Sequence, residues 1–424
     1  MQPGLELRLA WRNVWRNPRR TALTVAATVF AVFLTVVFVG MADGTHGKMI
    51  EDSVRVHSGH VTIAADGYLE ERTLERAVHL DDRLTGALDA APGVAGWTPR
   101  ISSFALASKA DASQGVAVIG VDPVREGQVS TLPDRVVEGE FLSSEKTREV
   151  LLGRRLARSL GVGIGDEVLL YGIAYSLENA YELFTVSGLV GLPEPSLERR
   201  LALISLEDAA EFYVYGDKVS EVAVLGDHAD GSEALRTALR REIASRLGDD
   251  GGQGRTGEAP LRVHTWREVM PELDQYIVLD RAGMILMLVI LVVVVGFGIL
   301  NTILMSVLER TRELGVMLAL GASPGGVFRV VFMESLFLAA VGLSLGLGLS
   351  VPLVAWLARN PIPLPGDWEV VTELVGAEPV MVFALEPANP LDSSLIILGV
   401  ALLAAIYPAV KAARGRPVDA LRSI

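Results

Sequence analysis

Three places in this sequence come closest to chemistry: His57 and His60, the pair Gly47-Lys48, and the charged run Glu309-Arg310-Thr311-Arg312-Glu313. The segment around the histidines, VRVHSGHVTIAAD, alternates like a strand, and residues three apart in a strand point to opposite faces. Two diverging imidazoles do not make a metal site. Gly47-Lys48 is followed by Met49 and lacks a leading glycine, so it is not the loop that wraps the phosphates of ATP. No H-E-x-x-H helix, paired carboxylates or serine on a strand-to-helix elbow stands out. With no cysteine, disulfides, thiolate metal sites and a lipidated N-terminal Cys are excluded. The chain reads as a non-enzyme.

Composition narrows the field further. The 424 residues give length for two or three domains, but 50% are hydrophobic and only 21% charged. Mean hydropathy is +0.38, too apolar for an ordinary soluble enzyme. A net charge of −13 argues against a nucleic-acid binder, whose phosphate contacts need a basic surface. The apolar residues concentrate in four stretches, assigned to membrane helices over 21–43, 281–308, 323–358 and 393–410. Each reaches or approaches the ~20 residues that cross a bilayer.

Arginines orient these spans. Arg8, Arg12, Arg16, Arg19 and Arg20 precede the first; Arg310 and Arg312 lie between the second and third, with Arg329 near the start of the third; Lys411, Arg414, Arg416 and Arg422 follow the fourth. In a four-span topology these segments share one side, the cytoplasm by the positive-inside rule, and both termini lie there. Segment 44–280 is then outside. It holds 24 Lys and Arg against 39 Asp and Glu, more than the whole chain's acidic excess. In residues 1–20, Leu7, Trp11 and Trp15 recur every four residues with Arg8, Arg12 and Arg16 beside them. That pattern fits an amphipathic elbow helix in the headgroup layer, ended by Pro18. A cleaved signal sequence, the competing reading, leaves three spans with inconsistent charge bias.

The outer segment mixes strand and helix patterns. Strands are expected at VRVHSGHVTIAAD, PRISSFALAS, GVAVIGVD, from Glu167, at YELFTVSGLV, EVAVLGD and LRVHTW. Helices are expected at Asp81–Ala90, Gly153–Leu160, after Ser205 and over Ser232–Leu247. The expected fold is a membrane α-helical protein with four transmembrane helices and a large inserted α+β extracytoplasmic domain of two lobes. One lobe is a β-rich insert at about 110–200. A Gly-rich surface loop is expected at 248–260 and a second outer loop at 359–392, for which the sequence gives no role.

The most informative stretch is SVLERTRELGVMLALGASPGGVFRVVFMES. The ERTRE turn leads into Leu314, Met317, Leu318 and Ala319, Gly321 stops the helix, and Ser323-Pro324 caps and starts the next span. A short amphipathic helix over 309–322, held between two membrane helices, suits a partner's groove; an ordinary charged loop is the plainer alternative. Glu334 is expected to pair with Arg329 or the elbow arginines. Gly342 and Gly346 form a helix-packing G-x-x-x-G.

That stretch, with WRNVWRNPRRTALT, LLGRRLARSLGVGIGDEVLL, FTVSGLV and YPAVKAARGRPVDALRSI, resembles FtsX-type permeases of the MacB and LolC/LolE group of type VII ABC transporters. The resemblance covers nearly the whole chain. It implies an inner-membrane protein with a bilobed MacB-like periplasmic domain, driven by an ABC ATPase dimer that binds ATP and Mg, with no cofactor in this chain. It implies a coupling helix at 309–322 in which Glu309, Arg310, Arg312, Glu313, Gly315, Leu318 and Gly321 are the matched positions, and a second permease subunit, identical or paralogous. ATP-driven closure would be carried to the periplasmic domain without passing substrate through the bilayer. A free permease with a large outer domain is most similar to the lipoprotein-releasing type. That implies a lipoprotein, a periplasmic carrier and membrane lipid as partners, with acyl chains entering near Phe38, Met41, Tyr276 and Leu279. The alternatives are MacB-like efflux with an adaptor and outer-membrane channel, a mechanotransmitting regulator of a periplasmic hydrolase, and a membrane sensor without an ATPase. The last leaves the ERTRE helix without a role.

Overall fold

The computed structural model describes residues 3–144, 147–192, 194–248, 259–366 and 380–414. Most of loop 248–260, the middle of loop 359–392 and the end of tail 411–424, with Arg416 and Arg422, lie outside the described residues. The chain divides into two compact units: Met1–Gly47, Ile277–Pro363 and Val380–Ile424 in one, Lys48–Tyr276 and Leu364–Pro379 in the other.

Helix α1 (Pro3–Val14) buries Ala10 and Val14 and exposes Leu7 and Trp11, and Trp15 in the turn that follows is exposed too. Its tryptophan stripe therefore faces outward, where amphipathic rings suit a headgroup layer. Trp11 meets Trp15 and Phe337 edge-on. Helix α2 (Pro18–His57) starts at the proline expected to break α1. It runs further than expected: the strand read from Val54 begins only at Val61. The helix stops where the Ser58 and Gly59 amides both donate to the Val54 carbonyl and Gly59 takes φ +65°. That left-handed conformation favours glycine, and an added Cβ would meet the Val224 backbone.

The outer unit continues in chain order with β1 (Val61–Ala65), β2 (Val78–His79), α3 (Asp82–Ala90), β3 (Val94–Lys109), β4 (Ala112–Val121), α4 (Pro123–Val129) and β5 (Val136–Gly139). Next come β6 (Glu149–Gly153), α5 (Arg154–Leu160), β7 (Glu167–Ile173), β8 (Asn179–Val190), α6 (Pro195–Glu198), β9 (Leu201–Ser205) and α7 (Leu206–Phe212). β10 (Lys218–Val219), β11 (Glu221–Gly226), α8 (Ser232–Leu247), β12 (Leu261–Thr265) and α9 (Trp266–Val269) complete it.

Ten of these strands form one hydrogen-bonded network. β12, β1, β11 and the first half of β3 make an antiparallel sheet, covered by α3 and α8 through Leu84, Leu88, Leu235 and Leu239. The second half of β3 joins a closed ring: β3 pairs β4, β4 pairs β9, β9 pairs β6, β6 pairs β8, β8 pairs β7, and β7 returns to β3. A closed ring removes free strand edges. Val116, Val118, Val168, Leu170, Phe184 and Val186 fill it and belong to the same buried core as the flat sheet. The antiparallel sheet and the ring thus share β3 and one buried core.

The membrane unit is completed by α10 (Pro271–Glu309), α11 (Thr311–Ala319), α12 (Pro324–Arg359), a small pair β13 (Ile362–Pro363) and β14 (Val380–Met381), and α13 (Ala388–Ala413). α2, α10, α12 and α13 are each long and apolar enough to cross a membrane. The Gly342-x-x-x-Gly346 pair packs α12 on α2: a Cβ at Gly342 would lie 2.6 Å from Thr28, and one at Gly346 2.7 Å from Val32. Only 11% of α10's most apolar window is buried, against 33% or more for the other three. Ile285, Leu286, Val289, Ile290, Val293 and Phe297 therefore form an open apolar face that calls for lipid or a second subunit.

Candidate functional site

Helix α10 ends at Glu309, and Arg310 leaves helical geometry before α11 begins at Thr311. The Thr311 hydroxyl donates back to the Leu308 carbonyl. At the far end Gly321 takes φ +93°, and the Gly321 and Ala322 amides close on Leu318 and Met317 carbonyls. Ser323 then caps α12, its Oγ accepting from the Gly326 amide at 3.2 Å. Gly321-Ala322-Ser323-Pro324-Gly325 has the spacing of a nucleophile elbow, but Ser323 is spent on this cap and no strand precedes it.

A chain of five charges fixes α11 in place. Arg16, just beyond α1, holds Glu313 with both guanidinium nitrogens, Nη1 at 2.7 Å. Arg310 donates to Glu313 at 3.2 Å and, through its other arm, to Glu334 of α12 at 3.2 Å. Arg20 of α2 reaches the second oxygen of Glu334 at 2.6 Å. The hydrogen bonds from Arg16, and then from Arg310, hold the Glu313 carboxyl below its ordinary range. These groups border a cavity of 240 Å³ lined also by Asn13, Thr24 and Met317. Beneath them Leu314 packs with Val307, Val327, Val331 and Ala409, so the helix is held by an apolar seam as well as by charge.

The seven expected coupling positions therefore separate by environment. Glu309 and Arg312 are exposed, together with Val316, Ala319 and Leu320, on the outer side of α11. Arg310 and Glu313 face the charge chain. Gly315 is buried and, with half-buried Leu318, lines a 490 Å³ groove between α11 and the last turns of α13. Gly321 supplies the turn. Sequence reading missed Val316 and Leu320, although their spacing from Arg312 places them on one helical face. It also missed Arg16 as the partner of Glu313. Glu334 does pair with an elbow arginine, Arg20.

The histidines are structural. His57 ends α2 and is not in a strand; His60 is buried, its Nδ1 accepting from the Gly226 amide at 3.0 Å and its Nε2 facing Glu51 at 3.3 Å. Among the described residues no group of three or more His, Asp or Glu is placed to hold a metal.

The comparisons with known proteins bear on this arrangement. The MacB-like periplasmic core domain matches residues 21–242, and the FtsX-like permease C-terminal family matches 285–417, a range that includes α11. The chain belongs to the MacB-like periplasmic core domain family. This chain is 26% identical to the lipoprotein-releasing system transmembrane protein LolC of Xylella fastidiosa, over 88% of this chain and 87% of that one. It is 24% identical to LolE of Haemophilus influenzae over 82% of each chain. Similarity to the macrolide export ATP-binding/permease protein MacB of Photorhabdus laumondii is 33%, but covers 31% of this chain and 18% of that protein.

Elsewhere on the permease, Met41 packs at the edge of the α2–α12–α13 core, Phe38 is half-buried, and Leu279 and Tyr276 are exposed. The ring of the outer unit carries a feature the sequence did not announce. Phe104 and Leu106 of β3, Leu169, Tyr171 and Ile173 of β7, and Tyr181 and Leu183 of β8 are all exposed. The registers Leu106↔Tyr171↔Tyr181 and Leu169↔Leu183 put them on one face. Alternation in β7 and β8 was visible, but an apolar residue at the outward position is legible only once the inward set is known.

Proposed function

We propose that this chain is the permease subunit of an ABC transporter that releases lipoproteins from the inner membrane, with both termini in the cytoplasm and the outer unit in the periplasm. ATP and Mg belong to a separate ATPase dimer that docks on the outer face of α11, and a second permease subunit, identical or paralogous, completes the complex. The mounting of α11 carries this reading. A nine-residue helix is tied to the α1–α2 turn, α2 and α12 by five charges while Arg312, Val316 and Leu320 face outward. Such an element moves as a body with the membrane helices when a partner pushes it. The similarity to LolC and LolE over most of the chain, against a third of it for MacB, supports lipoprotein release over efflux.

In this reading acyl chains enter near Phe38, Met41, Tyr276 and Leu279, and the periplasmic carrier meets the apolar face of β3, β7 and β8. A carrier that shields acyl chains has an apolar mouth, which such a face complements. Copurification from native membranes tests the reading. It predicts an ATPase and acylated lipoproteins retained with the permease; an adaptor with an outer-membrane channel would point to efflux instead. Introducing Asp at Met41 or Leu279 should abolish lipoprotein capture and leave basal ATP hydrolysis intact.

A further inference from the structure

The buried charges of the outer unit serve a different purpose from those around α11. Arg100 lies where β3 leaves the flat sheet and enters the ring: it is opposite Glu221 of β11 on one side and Val121 of β4 on the other. It is 2% exposed. One edge of its guanidinium holds Glu126 of α4, which is fully buried and also accepts from the Thr98 hydroxyl at 3.1 Å. The remaining nitrogen, Nη1, donates to the carbonyls of His57 at 2.5 Å and Val56 at 3.4 Å. Those are the last carbonyls of α2, which have no partner within the helix and carry the negative end of its dipole. A few residues on, the His60 carbonyl accepts from the Trp266 amide, and a Thr265–Glu268 capping box starts the segment that leads into α10.

We propose that Arg100 is the force-bearing joint that ties the end of α2 to the strand shared by flat sheet and ring, a positioning residue for the periplasmic movement. This rests on the transporter reading above. A covalent link alone, through Ser58 and Gly59, is a glycine hinge that would let α2 tilt without moving the sheet. The bidentate pair with Glu126 makes the clamp rigid at both ends, because the planar fork of Arg fixes direction as well as distance.

Arg100→Met alone would strand Glu126 as a buried charge, so the test uses Arg100→Met with Glu126→Leu, an exchange of a buried pair for apolar groups that proteins commonly tolerate. In the full complex with its ATPase, the double variant is expected to hydrolyse ATP within about twofold of wild type while ATP-driven lipoprotein release falls roughly tenfold. Amide exchange at His57–Gly59 should quicken roughly tenfold with β4 unchanged. Arg100→Lys, which keeps the charge but lacks the fork, should show the same split if the double variant does not fold. Wild-type release in the double variant, equal loss of hydrolysis and release, or unchanged exchange at His57–Gly59 would each overturn the joint. If the wild-type complex shows no ATP-driven release, the transporter reading fails, and the exchange result still decides the clamp.

Discussion

Glu334 is the side chain in the membrane unit with most to lose. It is 6% exposed and accepts from both Arg20 and Arg310. Glu334→Ala takes the carboxylate from a part-buried Arg20 and leaves Arg310 with Glu313 alone, so a loss of about 3 kcal/mol is expected, read as a lower unfolding midpoint in detergent. Glu313→Ala should behave differently. Its pair with Arg16 is substantially exposed, and such solvent-screened pairs contribute little to stability. The midpoint should hardly move while the coupling of hydrolysis to release drops. In the outer unit, burial, with a smaller push from the like charge of Glu126, holds the Glu221 carboxyl above its ordinary value against the opposing pull of Arg100, Arg72 and His57. A carboxyl raised on folding favours the protonated native state. Its stability contribution is complete below the ordinary value of about 4.3 and is lost as pH rises from there. Glu221→Gln should therefore raise the unfolding midpoint at pH 7 and change little at pH 4; an equal effect at both would contradict the assignment. The ERTRE run made Glu313 and Arg310 legible as candidates, but Glu313's partner Arg16 lies 297 residues away and Arg310's partner Glu334 lies in the next helix. Periodicity reports which face a residue occupies, not which distant charge meets it.

At the scale of elements, glycine substitutions separate packing from turn geometry. Gly342→Ala and Gly346→Ala drive a methyl into Thr28 and Val32 and should each cost about 1–3 kcal/mol by forcing α12 off α2. Gly348→Ala meets nothing within 4 Å and should be neutral or stabilising by up to about 1 kcal/mol. A thermal-shift series on the three decides whether the G-x-x-x-G packs α12 within one subunit. Helices α3 and α7 of the outer unit were legible because their caps are local, Asp81 accepting from the Leu84 amide and Ser205 from the Asp208 amide, whereas the short α4, α6 and α9 were not read. The end of α2 was not legible either. Val54, Arg55, Val56 and His57 have strand-like composition, and the group that meets their last carbonyls, Arg100, lies far along the chain.

For the whole molecule, the four apolar helices and an α+β outer unit could be read from hydropathy and charge alone, since each depends on windows of contiguous sequence. The ring could not. Its closure depends on β4 pairing β9 and β6 pairing β8 in parallel, contacts between strands far apart in the chain. For the same reason the exposed face of β3, β7 and β8 escaped notice. Replacing Tyr181 and Leu183 with Ser and Lys should weaken binding of the periplasmic carrier roughly tenfold without lowering the unfolding midpoint of the outer unit, checked by pull-down and calorimetry. The central claim is that α11 receives an ATPase, and the most direct measurement is site-specific photocrosslinking in native membranes from Arg312 and Leu320. The account predicts that both positions capture the same nucleotide-binding polypeptide, with no capture from Leu183 of the outer unit. Adducts to lipid alone, or to no ATPase from either position, would contradict it.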